Sequence, residues 1–87
     1  MQIITIDDEE FPRLLNAFSD AKAVGRYWRN GHVQVVRVSA HFVFVVSENI
    51  PEKIAIKPVR SISDAEVLGR QLLTREEQRG NRVELNR

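Results

Sequence analysis

Residues 24–46 read VGRYWRNGHVQVVRVSAHFVFVV, a run of β-branched and aromatic residues interrupted by Asn30-Gly31. Both residues of an Asn-Gly pair accept a positive φ, which the tight turns of β-hairpins require. The sequence therefore predicts a two-residue hairpin in which directly opposed residues share a face. The expected pairs are Arg29 with His32, Trp28 with Val33, Tyr27 with Gln34, and Arg26 with Val35.

The apolar pattern changes phase in the second half of this run. Val33 and Val35 are odd-numbered, whereas most apolar residues from Val36 onward are even-numbered. A β-bulge near Val35-Val36 would bring both sets onto one buried face. The eight residues expected on that face are Trp28, Val33, Val36, Val38, Phe42, Phe44, Ile54 and Ile56.

The length of the run from His32 to Val46 also predicts a break. Extended at ~3.3 Å per residue, this segment would span about 50 Å, which exceeds the ~30 Å width of a domain this small. A second hairpin at Ser39-Ala40 is one solution, but neither residue readily adopts a positive φ. We therefore expect one long, bent strand.

The flanking segments predict the remaining elements. Gln2–Ile6 is expected to form a strand, and Asp7 or Asp8 can cap a following helix. An apolar stripe at three- and four-residue spacing extends that helix to about Lys22: Phe11, Leu14, Leu15, Phe18 and Ala21. Downstream, the sequence predicts a loop over 47–52 and a strand over 53–57 ended at a sheet edge by Pro58. A second helix is expected from a capping box at Ser63–Glu66 to about Arg79, with Gly80 as its stop. Its side toward the sheet is expected to carry Ala65, Leu68, Leu72 and Leu73.

Together these elements predict an α+β fold with the order β-α-β-β-β-α. We expect a mostly antiparallel four-stranded sheet packed against two helices. The 87 residues are enough for one domain, which we place at 1–80, with 81–87 as a flexible C-terminal tail.

The composition narrows the classes of function. The chain has no cysteine, which excludes disulfides, thiolate zinc sites and cysteine nucleophiles, so only His32 and His41 could join carboxylates in a metal site. No apolar run approaches the ~20 residues of a membrane span, and the acidic N-terminus does not resemble a signal peptide. We expect a cytoplasmic protein without cofactor, metal or membrane contact.

Positive charge is concentrated in the sheet-forming centre. The chain carries a net charge of +1, but residues 1–23 hold two basic and five acidic residues, whereas residues 24–60 hold six basic and two acidic residues. Basic side chains around an aromatic on an open sheet face are typical of proteins that bind single-stranded nucleic acid. The candidate residues for such a face are Tyr27, Arg29, Arg37, Lys53 and Lys57.

Val43 and Val45 are expected on that same, otherwise polar face. With Phe42, Phe44 and Val46 on the other side, this segment is apolar on both faces and must be covered to avoid aggregation. The first helix, the C-terminal tail through Val83 and Leu85, or another protein chain could provide the cover. Val43 and Val45 are therefore candidate partner-binding residues.

No catalytic pattern is present. His32 and His41 are nine residues apart in strand context, and the chain lacks HExxH, GxSxG and glycine-rich phosphate-loop motifs. The leading hypothesis is a non-catalytic binding or regulatory module that contacts a protein partner through a sheet edge or the Val43/Val45 patch, as an inhibitor or a homodimer. The alternative is a nucleic-acid-binding protein that uses the basic sheet face.

Overall fold

The computed structural model describes residues 3–4, 21–48 and 54–86. Within these ranges the protein is α+β, with six strands in one antiparallel sheet and one helix packed on it. The elements are β1 (Ile3–Ile4), β2 (Lys22–Arg29), β3 (His32–Val38), β4 (Phe42–Ser47), β5 (Ile54–Pro58), α1 (Ile62–Gln78) and β6 (Val83–Leu85). The strand order is β1-β5-β4-β3-β2-β6, so β1 and β6 form the two edges.

The α+β class and the antiparallel sheet confirm the coarse prediction, but the prediction of four strands is wrong. β6 and the separation of β3 from β4 supply the two additional strands. The predicted helix over residues 11–20 lies outside the described residues, whereas Lys22, expected at its end, begins β2. The strand predicted to end at a sheet edge, β5, lies between β1 and β4, but β1 pairs only with Ile54 and Ala55. Among the described strands, Pro58 at its end therefore has a partner only on the β4 side.

The Asn30-Gly31 hairpin forms as predicted. All four expected pairs are present, from Arg29 opposite His32 to Arg26 opposite Val35. Asn30 and Gly31 adopt φ values of 52° and 79°, the left-handed conformation that this turn demands.

The long bent strand is wrong, because the chain reverses at residues 39–42. The Ser39 N–H donates to the Phe42 carbonyl at 2.9 Å, and β3 then pairs with β4, with Val38 opposite Val43. The Ser39 hydroxyl accepts hydrogen bonds from the N–H groups of His41 (3.2 Å) and Phe42 (3.0 Å). A serine side chain thus closes the turn without a glycine.

The bulge also lies elsewhere. The register of β3 against β2 is regular at Val35 and Val36, and the irregularity falls between Ala23 and Gly25 in β2. Val24, the additional residue, is buried against the helix side of the sheet. The predicted bulge would have brought all the apolar residues onto one face. The sheet instead buries apolar residues on both faces.

The two faces carry different apolar clusters. The face toward α1 packs Val36, Val38, Val43 and Val45 against Ala65 and Leu73 of the helix. Phe42, Phe44 and Ile56 were expected on that face, but the register places them on the opposite face, where Phe44 is fully buried and clusters with Ala21 and Ile56. Hence the eight residues predicted to share one buried face are divided between two.

Helix α1 begins earlier than predicted and ends where expected. Ser61 is the N-cap, and its side chain accepts a hydrogen bond from the Asp64 N–H at 3.2 Å, so the cap lies two residues before Ser63. The helix ends at Gln78, and Gly80 follows with a φ of 90°. Its inward side includes Ala65, Leu68, Leu72 and Leu73, as predicted.

The tail predicted to be flexible contains strand β6. Val83, Glu84 and Leu85 pair with Tyr27, Arg26 and Gly25 of β2. Further backbone hydrogen bonds join the Trp28 N–H to the Arg82 carbonyl and the Asn86 N–H to the Val24 carbonyl, both at 3.0 Å. The expectation of a frayed C-terminus is therefore wrong for residues 82–86.

Candidate functional site: the β6 edge of the sheet

The predicted partner surface at Val43 and Val45 is not accessible in this fold. The side chain of Val43 has no exposed area, and Val45 is 7% exposed. Both lie beneath α1, in the cluster that contains Ala65 and Leu73. The apolar segment does require a cover, and the C-terminal helix provides it, so these two valines do not form a docking surface.

The predicted nucleic-acid-binding residues do not form one surface. Tyr27 is 8% exposed beneath the helix, and Arg37 projects from the opposite face, where its guanidinium donates to the Ala21 carbonyl at 3.1 Å. Arg29 and Lys57 are exposed but lie at opposite ends of the sheet, because Arg29 adjoins the first turn whereas Lys57 pairs with Val43 beside the second. Lys53 lies outside the described residues.

The two histidines are separated as well. His32 opens β3, whereas His41 lies in the turn beyond its other end, and both are exposed. Among the described residues, no group of three or more histidine, aspartate or glutamate side chains could hold a metal ion.

A polar cluster fixes the C-terminal end of α1 to the sheet. Glu76 is 5% exposed, and its two carboxylate oxygens accept from the Arg79 guanidinium at 3.0 Å and the Asn81 amide at 2.7 Å. Burial raises the pKa of Tyr27 above its ordinary value of 10.0, and the negative charge of Glu76 raises it further. Because the carboxylate is fully engaged and inaccessible, we assign this cluster a structural role: it sets the path of the chain from α1 into β6.

A shallow groove of about 410 Å³ lies between α1 and the end of β5. Val67, which is 55% exposed, contributes to its apolar part. The lining residues are Pro58, Val59, Arg60, Asp64, Val67, Leu68 and Gln71. One acid and one base accompany the apolar residues, so the groove has no marked preference for the charge of a ligand.

The outer edge of β6 is the most distinctive surface of the described chain. Residues in an antiparallel strand alternate the direction of their main-chain groups. Because residues 82 and 86 bond to β2, the N–H and C=O groups of Val83 and Leu85 point away from it. No other described strand pairs with this side of β6. Leu85 is 60% exposed, so the edge presents both main-chain groups and an apolar side chain.

Charged side chains flank the β6 edge on the face away from α1. The Arg82 guanidinium lies 4.4 Å from the centre of the Trp28 ring and 3.6 Å from a carboxylate oxygen of Glu84. Stacking on an indole restricts the arginine without neutralising it. The strand therefore carries a positioned positive charge and a negative charge two residues apart.

Sequence reasoning missed this edge because its signal is short. Val83-Glu84-Leu85 alternates apolar and polar residues, but three residues cannot be distinguished from a chance pattern. The sequence indicates Val83 and Leu85 only as one possible cover for Val43 and Val45. Val83 does pack against that cluster, whereas Leu85 remains exposed.

Comparison with known proteins gives no match for this chain among protein-family models, curated proteins or solved structures. Within the part of the chain that the structure describes, no helix is both long and apolar enough to cross a membrane.

Proposed function

We propose that this protein is a non-catalytic interaction module that binds a partner protein by strand addition at the outer edge of β6. The observation that carries the proposal is the combination of outward main-chain groups at Val83 and Leu85 with the 60% exposure of Leu85. In strand addition, main-chain hydrogen bonds supply affinity and alternate side chains supply specificity.

Several features of β6 suit this role. The strand is held on its inner side by backbone hydrogen bonds to β2 and by Val83 packed into the core, so a partner would meet a preformed edge. A preformed edge reduces the entropy lost on binding. Residues 83–85 contain no proline or lysine and pair with β2 without a bulge, so three of the devices that protect exposed edges are absent from β6.

The test uses a phage-displayed library of linear heptapeptides selected on the purified protein. Leu85→Pro removes an N–H that points away from β2, so it blocks strand addition while leaving the hydrogen bonds between β2 and β6 in place. Leu85→Ala is the matched control, because it keeps the N–H and removes only the side chain. We expect the selected peptides to bind the wild type, to bind Leu85→Ala more weakly, and not to bind Leu85→Pro.

Amide chemical-shift mapping of the peptide complexes locates the site. Changes centred on residues 82–86 support the proposal. Selection of no peptide, equal binding to Leu85→Pro, or changes centred on Val67 and Pro58 would overturn it, the last by moving the site to the groove beside α1.

A further inference from the structure

We infer that the strand added at β6 is β6 of a second copy of this chain, so that two six-stranded sheets join into one across a twofold axis at Val83. This inference rests on the proposed function and identifies its partner. The charge pattern of the strand itself carries the argument.

The main-chain geometry permits three symmetric pairings. The outward groups belong to Val83 and Leu85, so a twofold axis can pass at Val83, at Leu85, or at Glu84 between them. In each, the two strands run antiparallel and directly opposed residues share a face.

Electrostatics separates these three pairings. An axis at Glu84 opposes two glutamates, which is destabilising. An axis at Leu85 opposes Glu84 to the neutral Asn86, so it forms no pair of opposite charge at that position. An axis at Val83 places Arg82 of each copy directly opposite Glu84 of the other, so two pairs of opposite charge flank the Val83 contact.

The positions of these side chains support the pairing at Val83. Arg82 stacks on Trp28 and Glu84 pairs with Arg26, so both side chains lie on the face away from α1. They form a 3.6 Å ion pair within one chain, which shows that the two groups lie at a similar height over the sheet. Across the twofold axis they would be non-hydrogen-bonded neighbours, the closer type of cross-strand pair.

On the other face, the same pairing brings the exposed Leu85 to the end of the partner's helix. Leu85 lies on the α1 side of the sheet, because it pairs with Gly25, whose added Cβ would meet Leu73 of the helix. With the axis at Val83, Leu85 of one copy lies opposite Asn81 of the other. The Asn81 backbone N–H already donates to the Glu76 carbonyl at 3.0 Å, so the main-chain hydrogen bonds across the axis centre on Val83. Asn81 donates to the buried Glu76, so the exposed leucine would come to lie beside the polar cluster at the end of the partner's helix.

Sedimentation equilibrium with charge-reversal variants tests the inference. The wild type should show a monomer–dimer equilibrium. Arg82→Glu opposes two glutamate pairs and Glu84→Arg opposes two arginine pairs, so each variant should weaken the dimer at least about tenfold. Arg70→Glu makes the same charge change on the exposed side of α1 and should leave association unaltered.

Recombination of the charges makes the test specific to this register. The double variant Arg82→Glu/Glu84→Arg should recover the dimer, since each glutamate again faces an arginine. An equimolar mixture of the two single variants should form a heterodimer although each alone is largely monomeric. Circular dichroism of all variants confirms that the fold persists.

Three results would overturn the inference. These are a wild type that sediments as a monomer at every concentration up to ~1 mM, single variants that dimerise as well as the wild type, and a mixture that forms no heterodimer. A monomeric wild type that still binds selected peptides at residues 82–86 would reject self-association while leaving the proposed function intact. If the wild type neither self-associates nor binds selected peptides at residues 82–86, the β6 edge is not a binding site.

Discussion

The two ends of the interface between α1 and the sheet are built on different principles. At the apolar end, comprising Gly69, Leu73, Gly25 and Val24, the helix approaches so closely that an added Cβ at Gly69 would lie 2.9 Å from a methyl group of Val24. At the polar end, comprising Glu76, Tyr27, Arg79 and Asn81, the contact depends on hydrogen bonds around one buried carboxylate. Close packing holds the helix on the sheet, whereas the carboxylate directs the chain into β6.

Leu73→Ala should have the largest effect, because it removes the largest fully buried side chain of the helix from the apolar end. Leu73 is 1% exposed, and the cavity left behind should lower the free energy of unfolding by about 3 kcal/mol. Urea denaturation measures the change. Leu72→Ala is the matched control, since Leu72 is only half-buried and its loss should cost clearly less; equal losses would contradict the stated burial.

Gly25→Ala should have the second-largest effect and lower the free energy of unfolding by about 2 kcal/mol through overpacking. The new methyl group would lie 2.5 Å from the Leu73 Cδ1 and 2.6 Å from the Glu84 carbonyl oxygen. The leucine can rotate, but the carbonyl belongs to β6, so the strand must shift. Trp28 is the single tryptophan of the chain and stacks under Arg82, so its fluorescence should change together with the stability. Unchanged emission would show that β6 tolerates the added group.

Glu76→Gln tests the polar end and should cost about 1.5 kcal/mol, since the hydrogen bonds from Arg79 and Asn81 lose their charged acceptor. Glu77→Gln makes the same change on the exposed neighbour and should alter stability by less than ~0.5 kcal/mol. Thermal unfolding of both variants compares them. If the two substitutions cost the same, the buried carboxylate does not hold the helix end.

The smallest effect concerns the ionisation of Tyr27. Its pKa is raised in the folded state, so the native protein holds the phenolic proton more tightly than the unfolded chain does. That stabilisation is complete below pH 10.0 and is lost as the pH rises through the folded-state pKa. Tyr27→Phe should remove this part of the alkaline decline in the free energy of unfolding.

Tyr27 is the single tyrosine, so absorbance at about 295 nm titrates it directly. Glu76→Gln should lower the folded-state pKa of Tyr27, because the negative charge of Glu76 is, after burial, the second cause of its raised value. If Glu76→Gln leaves the pKa of Tyr27 unchanged, Tyr27 does not interact electrostatically with the Glu76 carboxylate.

Sequence predicted the elements whose signals are local. Asn30-Gly31 specified the first hairpin down to its register, and the leucine spacing with Gly80 specified most of α1. The second hairpin was only the less favoured alternative, because its turn depends on the hydroxyl of Ser39 rather than on a residue suited to positive φ. The prediction of a bulge at Val35-Val36 assumed that only one face of the sheet is buried. Because both faces bury apolar residues, no bulge is needed there.

The candidate site was less predictable, because it depends on contacts between distant parts of the chain. Val43 and Val45 were predicted as a partner surface, but in the structure α1 covers them. No pattern within residues 42–46 indicates that a distant helix packs there. Likewise, residues 83–85 form a strand because they pair with β2. The side-chain amide of Asn86 also donates to the Ala23 carbonyl, 63 residues away in the sequence. Short strands of this kind are specified by their neighbours rather than by their own composition.

Strand β2 has a further consequence for how the molecule opens. Its amides alternate in direction: the Trp28 N–H bonds to the carbonyl of Arg82, the residue just before β6, whereas the N–H groups of Tyr27 and Arg29 face β3. Hydrogen exchange at successive residues of this one strand therefore reports two separate motions. Detachment of β6 alone would release the Trp28 amide while the amides beside it stay protected, so the lifetime of the edge can be measured apart from the lifetime of the fold.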